Sequence, residues 1–278
     1  MTSAPSPLAP PLTSPALRIL STPPAPLETP DLSLIVPAFN EEKRLPRTLE
    51  LIAKYLATRD FSYELILVDD GSRDNTAHVA REFCSRFDWA RLLQYVDERG
   101  QAINKGKGFA VRQGMLASRG RDVLFSDADL STPIEEMEKL LPLIARGECD
   151  IAIASRALPG SNLTVHQPRH REAMGRTFNL FVRAAIGTDV RDTQCGFKAL
   201  RGDIARRLFA LSRVDGFGFD TEIIFLAARK GLRVREIPVT WHHAEDSRVN
   251  PLVAPLQMMR ELMQVRLNDL RGLYKEST

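Results

Sequence analysis

Residues 64–95 read ELILVDDGSRDNTAHVAREFCSRFDWARLLQY. Glu64–Asp69 is a short, continuous apolar run of strand length. DDGSRDN is a cluster of turn formers, Thr76–Phe87 has helical periodicity, and Arg91–Tyr95 is a strand again. The same alternation extends both ways. Upstream, Leu34-Ile35-Val36 is a strand run stopped by Pro37, followed by a helix carrying Leu45, Leu49, Ile52 and Leu56 on one face. Downstream come a helix over Gly108–Ser118, a strand over Asp122–Ser126, a helix over Pro133–Ile144 and a strand over Asp150–Ala154. Strands this apolar, alternating with helices, predict an α/β fold with a mostly parallel sheet covered on both faces. Ligands of such sheets bind at the carboxyl ends of the strands. Three polar clusters fall there: Pro37–Glu42, Asp69–Asp74 and Asp127–Ser131.

Beyond Ser155 the alternation weakens. Arg171–Ile186, Thr221–Lys230 and a C-terminal segment read as helices, and Gln194–Leu200 and Arg233–Val239 as extended. The C-terminal segment has an apolar stripe at Leu252, Leu256, Met259, Met263, Leu267, Leu270 and Tyr274, with Arg260, Arg271 and Lys275 off it. That stripe suits either packing onto the sheet or a membrane interface. Residues 1–30 hold 9 of the 18 prolines and are expected to be a disordered leader.

The chain has 278 residues, 44% hydrophobic and 26% charged, which places it among ordinary globular proteins. Three cysteines without metal-like spacing argue against a disulfide scaffold and for a reducing compartment. Membrane spans and a signal peptide are not expected from the apolar runs. The net charge of +3 is unevenly spread. Residues 156–191 carry six arginines against Glu172 and Asp189, a local +4 that suits an anionic ligand or membrane surface. Only 7% of residues are aromatic and the basic segment adjoins an acidic rim, which disfavours a nucleic-acid partner.

Each strand-end cluster has a plain structural reading beside its chemical one. Asp127-Ala128-Asp129 places two carboxylates where they could share a hard divalent cation, or is a turn capping the next helix. Asp69-Asp70-Gly71-Ser72 could read a base, or form an Asx turn. Asn104-Lys105-Gly106-Lys107-Gly108 opens a helix and suits a diphosphate, yet fits neither a Walker loop nor GxGxxG.

The order of the clusters is more specific than any one of them. VPAFNEE (36–42), VDDGSRDNT (68–76), NKGKGFAVRQGM (104–115) and SDADLSTP (126–133) form an ordered series. With Ala154-Ser155-Arg156, DTQCGFKAL (192–200), FGFDTEI (217–223) and EIPVTW (236–241), it resembles the inverting glycosyltransferases of family 2. The C-terminal half is most similar to dolichyl-phosphate β-glucosyltransferases, with dolichyl-phosphate mannose synthases close by.

The resemblance implies a GT-A fold over residues 31–245, with 246–278 a C-terminal amphipathic helix at the membrane interface. It implies transfer of glucose from UDP-glucose to a dolichyl or polyprenyl phosphate, with Mg²⁺ or Mn²⁺. Pro37, Ala38, Asn40 and Glu41 match the first nucleotide loop, Asp69 and Asp70 the base- and ribose-reading pair, and Lys107 a diphosphate contact. Asp127 and Asp129 match the metal pair around Ala128. Arg156 and Arg171, with Arg176 as a further candidate, match acceptor-phosphate arginines. Asp220 and Glu222 match an acidic pair that shapes the sugar pocket or supports the acceptor site. A cytoplasmic protein held peripherally at the inner face of a membrane is the implied location. The alternatives are GDP-mannose as donor, a soluble acceptor, an aspartyl-phosphate phosphatase built on Asp127 and Asp129, and an inactive nucleotide-sugar-binding module.

Overall fold

The computed structural model describes residues 16–19, 29–163, 179, 182–183, 185–242 and 254–275. Its strands are β1 (Ala16–Ile19), β2 (Leu32–Ala38), β3 (Tyr63–Asp69), β4 (Ala90–Val96), β5 (Asp122–Ser126), β6 (Ile151–Ser155), β7 (Asn162–Leu163), β8 (Phe197–Arg201), β9 (Val234–Pro238) and β10 (Thr240–Trp241). Helices are α1 (Leu45–Leu56), α2 (Thr76–Arg86), α3 (Lys107–Ala117), α4 (Met137–Ala145), α5 (Gly202–Leu211), α6 (Phe219–Arg229) and α7 (Ala254–Leu270). Eight strands form one sheet in the order β1-β4-β3-β2-β5-β8-β6-β9, and β7 pairs with β10 in a separate ribbon.

Strands β2, β3, β4 and β5 run parallel, as do β6 and β9. The sheet is therefore mostly parallel, with β8 running antiparallel between β5 and β6. Alternation along each strand builds two cores. Ile35, Ile66, Val68 and Phe125 face one way, against Val111 and Met115 of α3, Leu208 of α5, Phe225 of α6 and Val265 of α7. Leu34, Val36, Leu65 and Leu67 face the other, against Leu49 of α1, Phe83 of α2 and Leu140 of α4. Burial on both faces is what made these strands read as continuous apolar runs.

Several expectations need revising in detail. The segment expected to be a disordered leader contains β1, whose ALRI run pairs antiparallel with β4 at the sheet edge. Gln194–Leu200 is extended only from Phe197. Helix α5, absent from the elements expected, follows directly on β8. Eleven of the sixteen residues of the helix expected over Arg171–Ile186 lie outside the described residues, and the described ones, Asn179, Val182, Arg183, Ala185 and Ile186, are helical. Arg171 and Arg176 are among the eleven.

Candidate active site

The parallel strands β2, β3 and β5 all end on one rim, and the loops that follow are bonded to each other. After β2, the Asn40 amide N–H donates to Ser72 Oγ (2.8 Å), and Asn40 Oδ1 accepts the Arg73 N–H (2.8 Å). The Glu41 N–H donates to Thr76 Oγ1 (2.7 Å), while Glu41 pairs with Arg44 through two 2.7 Å bonds. Asn40 sits at φ 55°, a left-handed conformation that Asn tolerates better than most residues. Pro37 and Ala38 are buried in β2, and the Ala38 carbonyl accepts the Asp70 N–H at 2.9 Å. The first two clusters are thus one interlocked wall.

Asp69 and Asp70 turn inward from that wall, 1% and 3% exposed. Asp69 accepts from Gln94 Nε2 (2.6 Å) and the Ser72 N–H (3.1 Å). Asp70 accepts from the Tyr95 hydroxyl, Asn104 Nδ2 (2.9 Å), the Lys105 N–H (2.9 Å) and the Gly106 N–H (3.0 Å). Burial pushes the Asp70 carboxyl above its ordinary range despite the Tyr95 hydroxyl and these amides, and Asp69 pushes the same way. The carboxylate therefore fastens the loop that leads into α3. Gly106, at φ 106°, crosses that junction where a Cβ would lie 2.5 Å from the Asp215 carbonyl. Only glycine passes there with this backbone.

Lys107, the first residue of α3, reaches the third cluster. Its ammonium pairs with Asp127 Oδ1 at 2.6 Å. Burial alone would lower the Lys107 pKa, but the carboxylates of Asp127 and Asp220, with Asp129 adding, more than reverse it and hold it above its ordinary value. Asp127 and Asp129 are both partly exposed, and buried Ala128 lies between them. The turn is pinned on two sides: Thr48 Oγ1 of α1 donates to the Ala128 carbonyl (2.6 Å), and the Asp127 N–H donates to the Gly196 carbonyl (3.0 Å). Leu130 follows at φ 46°, unusual for leucine, and the Ser131 N–H donates to Asp129 Oδ1 at 2.9 Å. Gly196 lies so close to the Asp127 carboxylate that a Cβ there would overlap it.

Among the described residues no group of three or more His, Cys, Asp or Glu side chains is arranged to hold a metal. Two partly open carboxylates still suit Mg²⁺ or Mn²⁺, which keep water and substrate phosphates for the remaining positions.

Behind this pair lies a second charged layer. Lys198 of β8 pairs with Asp220 of α6, both wholly buried, and also donates to the Cys195 carbonyl at 2.6 Å. Both ammoniums lie near the Phe125 ring, Lys107 at 5.8 Å and Lys198 at 5.4 Å from its centroid. Burial raises the Asp220 pKa, partly offset by Lys198 and Lys107, with Asp127 adding to the rise. Arg156, just beyond β6, holds Asp192 through two 2.8 Å bonds and lies 5.4 Å from the Trp241 ring. Burial would lower the Arg156 pKa; Asp192 reverses this, with Cys195 and Asp127 acting in the same direction. Asp192 is fixed in turn by Glu236 of β9, whose carboxylate accepts the Arg191 N–H (2.8 Å) and the Asp192 N–H (2.9 Å).

The structure thus gathers Lys107, Asp127, Asp129, Asp220 and Arg156 into one interacting cluster. Glu222 is not part of it. Two residues on from Asp220 along α6, it is 0% exposed. It accepts from Ser212 Oγ (2.5 Å), the Arg213 N–H (2.9 Å), the Val214 N–H (3.0 Å) and the Tyr274 hydroxyl (2.6 Å). Its visible work is to tie the α5–α6 loop to the C-terminal segment. Sequence reasoning passed over Gly196, Lys198, Asp192 and Glu236. The adjoining DTQCGFKAL and EIPVTW motifs were the available signal.

Residues 33–209 match the family model described as glycosyl transferase family 2. The chain is 33% identical over 261 residues to a dolichyl-phosphate beta-glucosyltransferase of Dictyostelium discoideum, covering 90% of this chain and 78% of that one. It is 34% identical to the Homo sapiens enzyme of the same name, covering 89% and 78%. Among solved structures, glucosyl-3-phosphoglycerate synthase from Mycobacterium tuberculosis in complex with UDP superposes with a TM-score of 0.61 at 21% identity, covering 85% of this chain and 80% of that one. The same enzyme has been solved with Mn²⁺, UDP-glucose and phosphoglyceric acid, at a TM-score of 0.59. These structural neighbours share the GT-A fold with this chain. With that fold and a family match over most of its length, the chain belongs to glycosyl transferase family 2 and is a glycosyltransferase.

Proposed function

We propose that the protein transfers glucose from UDP-glucose to a dolichyl or polyprenyl phosphate, with inversion at the anomeric carbon to give a β-linked product. The observation that carries this is similarity, over about nine-tenths of the chain, to enzymes named dolichyl-phosphate beta-glucosyltransferase. The wall made by Pro37–Glu41 and the Asp69–Thr76 loop would frame the nucleoside, with Asp69 and Asp70 keeping its shape. Asp127 and Asp129 would hold a divalent ion, which supplies charge neutralisation at the diphosphate. Lys107 would then hand its ammonium from Asp127 to the departing diphosphate, whose growing negative charge it stabilises. The acceptor phosphate is largely ionised near neutral pH and needs orientation more than deprotonation. Arg156, held in place by Asp192, suits that task, and Arg171 and Arg176 are proposed to share it. Asp220 is assigned to holding Lys198 and Lys107 in register. Contact with a membrane follows from a lipid acceptor, and a peripheral position on its cytoplasmic face is part of the proposal.

The test is a transfer assay with Mg²⁺, offering UDP-glucose or GDP-mannose, each with and without a short polyprenyl phosphate. Lipid-dependent glucose transfer, lost with chelator and restored by added metal, is the expected result. Asp129→Ala should abolish it, and Lys107→Met should lower kcat by about a hundredfold or more. Turnover of GDP-mannose alone would move the donor assignment to the mannose synthases. UDP release that ignores the lipid would remove the acceptor from the proposal.

A further inference from the structure

Asp192 holds Arg156 by its main chain and by one edge of its side chain. Asp192 Oδ2 accepts the Arg156 backbone N–H (2.9 Å) and the Nε–H (2.8 Å), and Oδ1 accepts from Nη2 (2.8 Å). The carboxylate doing this is 1% exposed. The guanidinium carbon also stands over the Trp241 ring, 5.4 Å from its centroid, in reach of a cation–π contact. The Nη1–H and the second Nη2–H form another, end-on edge, and Nη1 makes no hydrogen bond among the described residues. Such a planar fork receives two phosphate oxygens side by side. A phosphate monoester so held keeps its third oxygen uncommitted.

One stretch of chain supports this arrangement from both sides. Strand β9 runs parallel to β6, with Glu236 opposite Ile153 and Pro238 opposite Ser155, the residue before Arg156. Three residues after Pro238, β10 pairs with β7 and sets Trp241 opposite Leu163. Both Glu236 oxygens go to backbone: Oε2 accepts the Arg191 N–H (2.8 Å) and Oε1 the Asp192 N–H (2.9 Å). One carboxylate gripping two consecutive peptides fixes their planes, so the Asp192 side chain leaves the chain in one direction. The series Glu236, Asp192, Arg156 ends on an open guanidinium edge, not on another protein group.

We infer that Glu236 and Trp241 are positioning residues that aim the free edge of Arg156 at a phosphate monoester, a role that rests on Arg156 serving the acceptor as proposed above. Glu236 acts through Asp192, and Trp241 acts on the guanidinium face. The gain is preorganisation. An unsupported arginine gives up its rotamer freedom when it grips a phosphate, whereas Arg156 has already given it up on folding. A clamp that only stabilised the loop would do so whatever side chain stood at position 156. A positioning residue matters only while the guanidinium is there to be aimed.

The experiment is calorimetric binding, without turnover, of geranyl phosphate, inorganic phosphate and geraniol to the full chain. Geranyl phosphate should bind and geraniol should not. Arg156→Lys keeps the charge but loses the fork, and should weaken binding about tenfold or more. Glu236→Gln should weaken it about tenfold in the unaltered protein, yet less than about twofold on top of Arg156→Lys, because its effect travels through the guanidinium. Trp241→Leu should weaken binding about threefold, and Trp241→Phe should recover most of that loss. If Glu236→Gln loses its cooperative melt, the tryptophan pair carries the test. Additive penalties for Glu236→Gln and Arg156→Lys make Glu236 a loop clamp and overturn the inference. So do unaltered binding by Glu236→Gln or Trp241→Leu, binding of geraniol as tight as that of geranyl phosphate, and no binding of either phosphate by the unaltered protein. Inorganic phosphate separates the two sources of the same chemistry. If it binds with the same dependence on Glu236, the phosphate is read whether free or lipid-borne; if only geranyl phosphate binds, the hydrocarbon takes part, and the positioning role stands in both cases. If phosphate binding behaves as stated while no acceptor is glucosylated, the functional proposal fails and the positioning role stands.

Discussion

The placement of Asp127 depends on a residue with no side chain. Gly196 leads into β8, and its carbonyl receives the Asp127 N–H while the missing Cβ leaves space for the carboxylate. Gly196→Ala should therefore displace the Asp127 carboxylate from Lys107 without disturbing the sheet around it. The expected outcome is a fall in kcat of about a hundredfold, a magnitude typical of losing a positioned charge, with the far-ultraviolet circular dichroism unchanged. Activity near that of the unaltered protein would mean that the Asp127 position has slack. Nothing in the tripeptide Asp127-Ala128-Asp129 identifies this neighbour. Gly196 is distant in sequence and arrives only because β8 pairs with β5, with Phe197 opposite Ser126.

At the scale of elements, Glu222 changes meaning between sequence and structure. The run FGFDTEI pairs it with Asp220 as an acidic couple, but on α6 the two side chains diverge. Asp220 joins Lys198 behind the site, and Glu222 collects the Ser212, Arg213, Val214 and Tyr274 donors. Glu222→Gln keeps the shape but replaces an acceptor oxygen with an N–H₂ group facing donors. This should cost about 2–4 kcal/mol of stability, the scale of lost bonds to a charged acceptor together with their unsatisfied partners. Chemical denaturation would measure it. A loss of activity with full stability would return Glu222 to the site. The apolar stripe of α7 was equally ambiguous in sequence. Periodicity shows that a helix has an apolar line, but not which neighbour, if any, covers it. The structure packs Leu262, Val265 and Glu261 inward and splits the stripe: Met259 and Tyr274 pack against the core, while Leu256, Met263, Leu267 and Leu270 stay outside.

For the whole molecule, acid stability should reveal the buried charges. Burial alone would raise the Asp192 pKa, but Arg156 outweighs it and holds the carboxyl below its ordinary value. Its contribution is therefore present above the unfolded value near pH 4 and is lost as pH falls through the lower folded value. Asp192→Asn should cost about 3 kcal/mol at neutral pH, where it strands a largely buried guanidinium. That difference should shrink below about pH 4 as the unaltered side chain also becomes neutral. A penalty independent of pH would show that Asp192 acts by shape alone. Asp70 and Asp220, raised by burial, carry the opposite sign: they favour the folded state more as pH falls from neutrality toward the ordinary carboxylate range. The sequence by itself determined the alternating α/β order, the strand-end clusters and the family, because buried parallel strands and turn residues leave local patterns a few residues long. Only the tertiary structure decided that Asp70 serves the Lys105–Gly106 loop, that Arg156 is locked by Asp192, and that β8 inserts antiparallel between β5 and β6. Those outcomes rest on pairings between residues far apart in the chain, set by packing and hydrogen-bond satisfaction across the whole sheet.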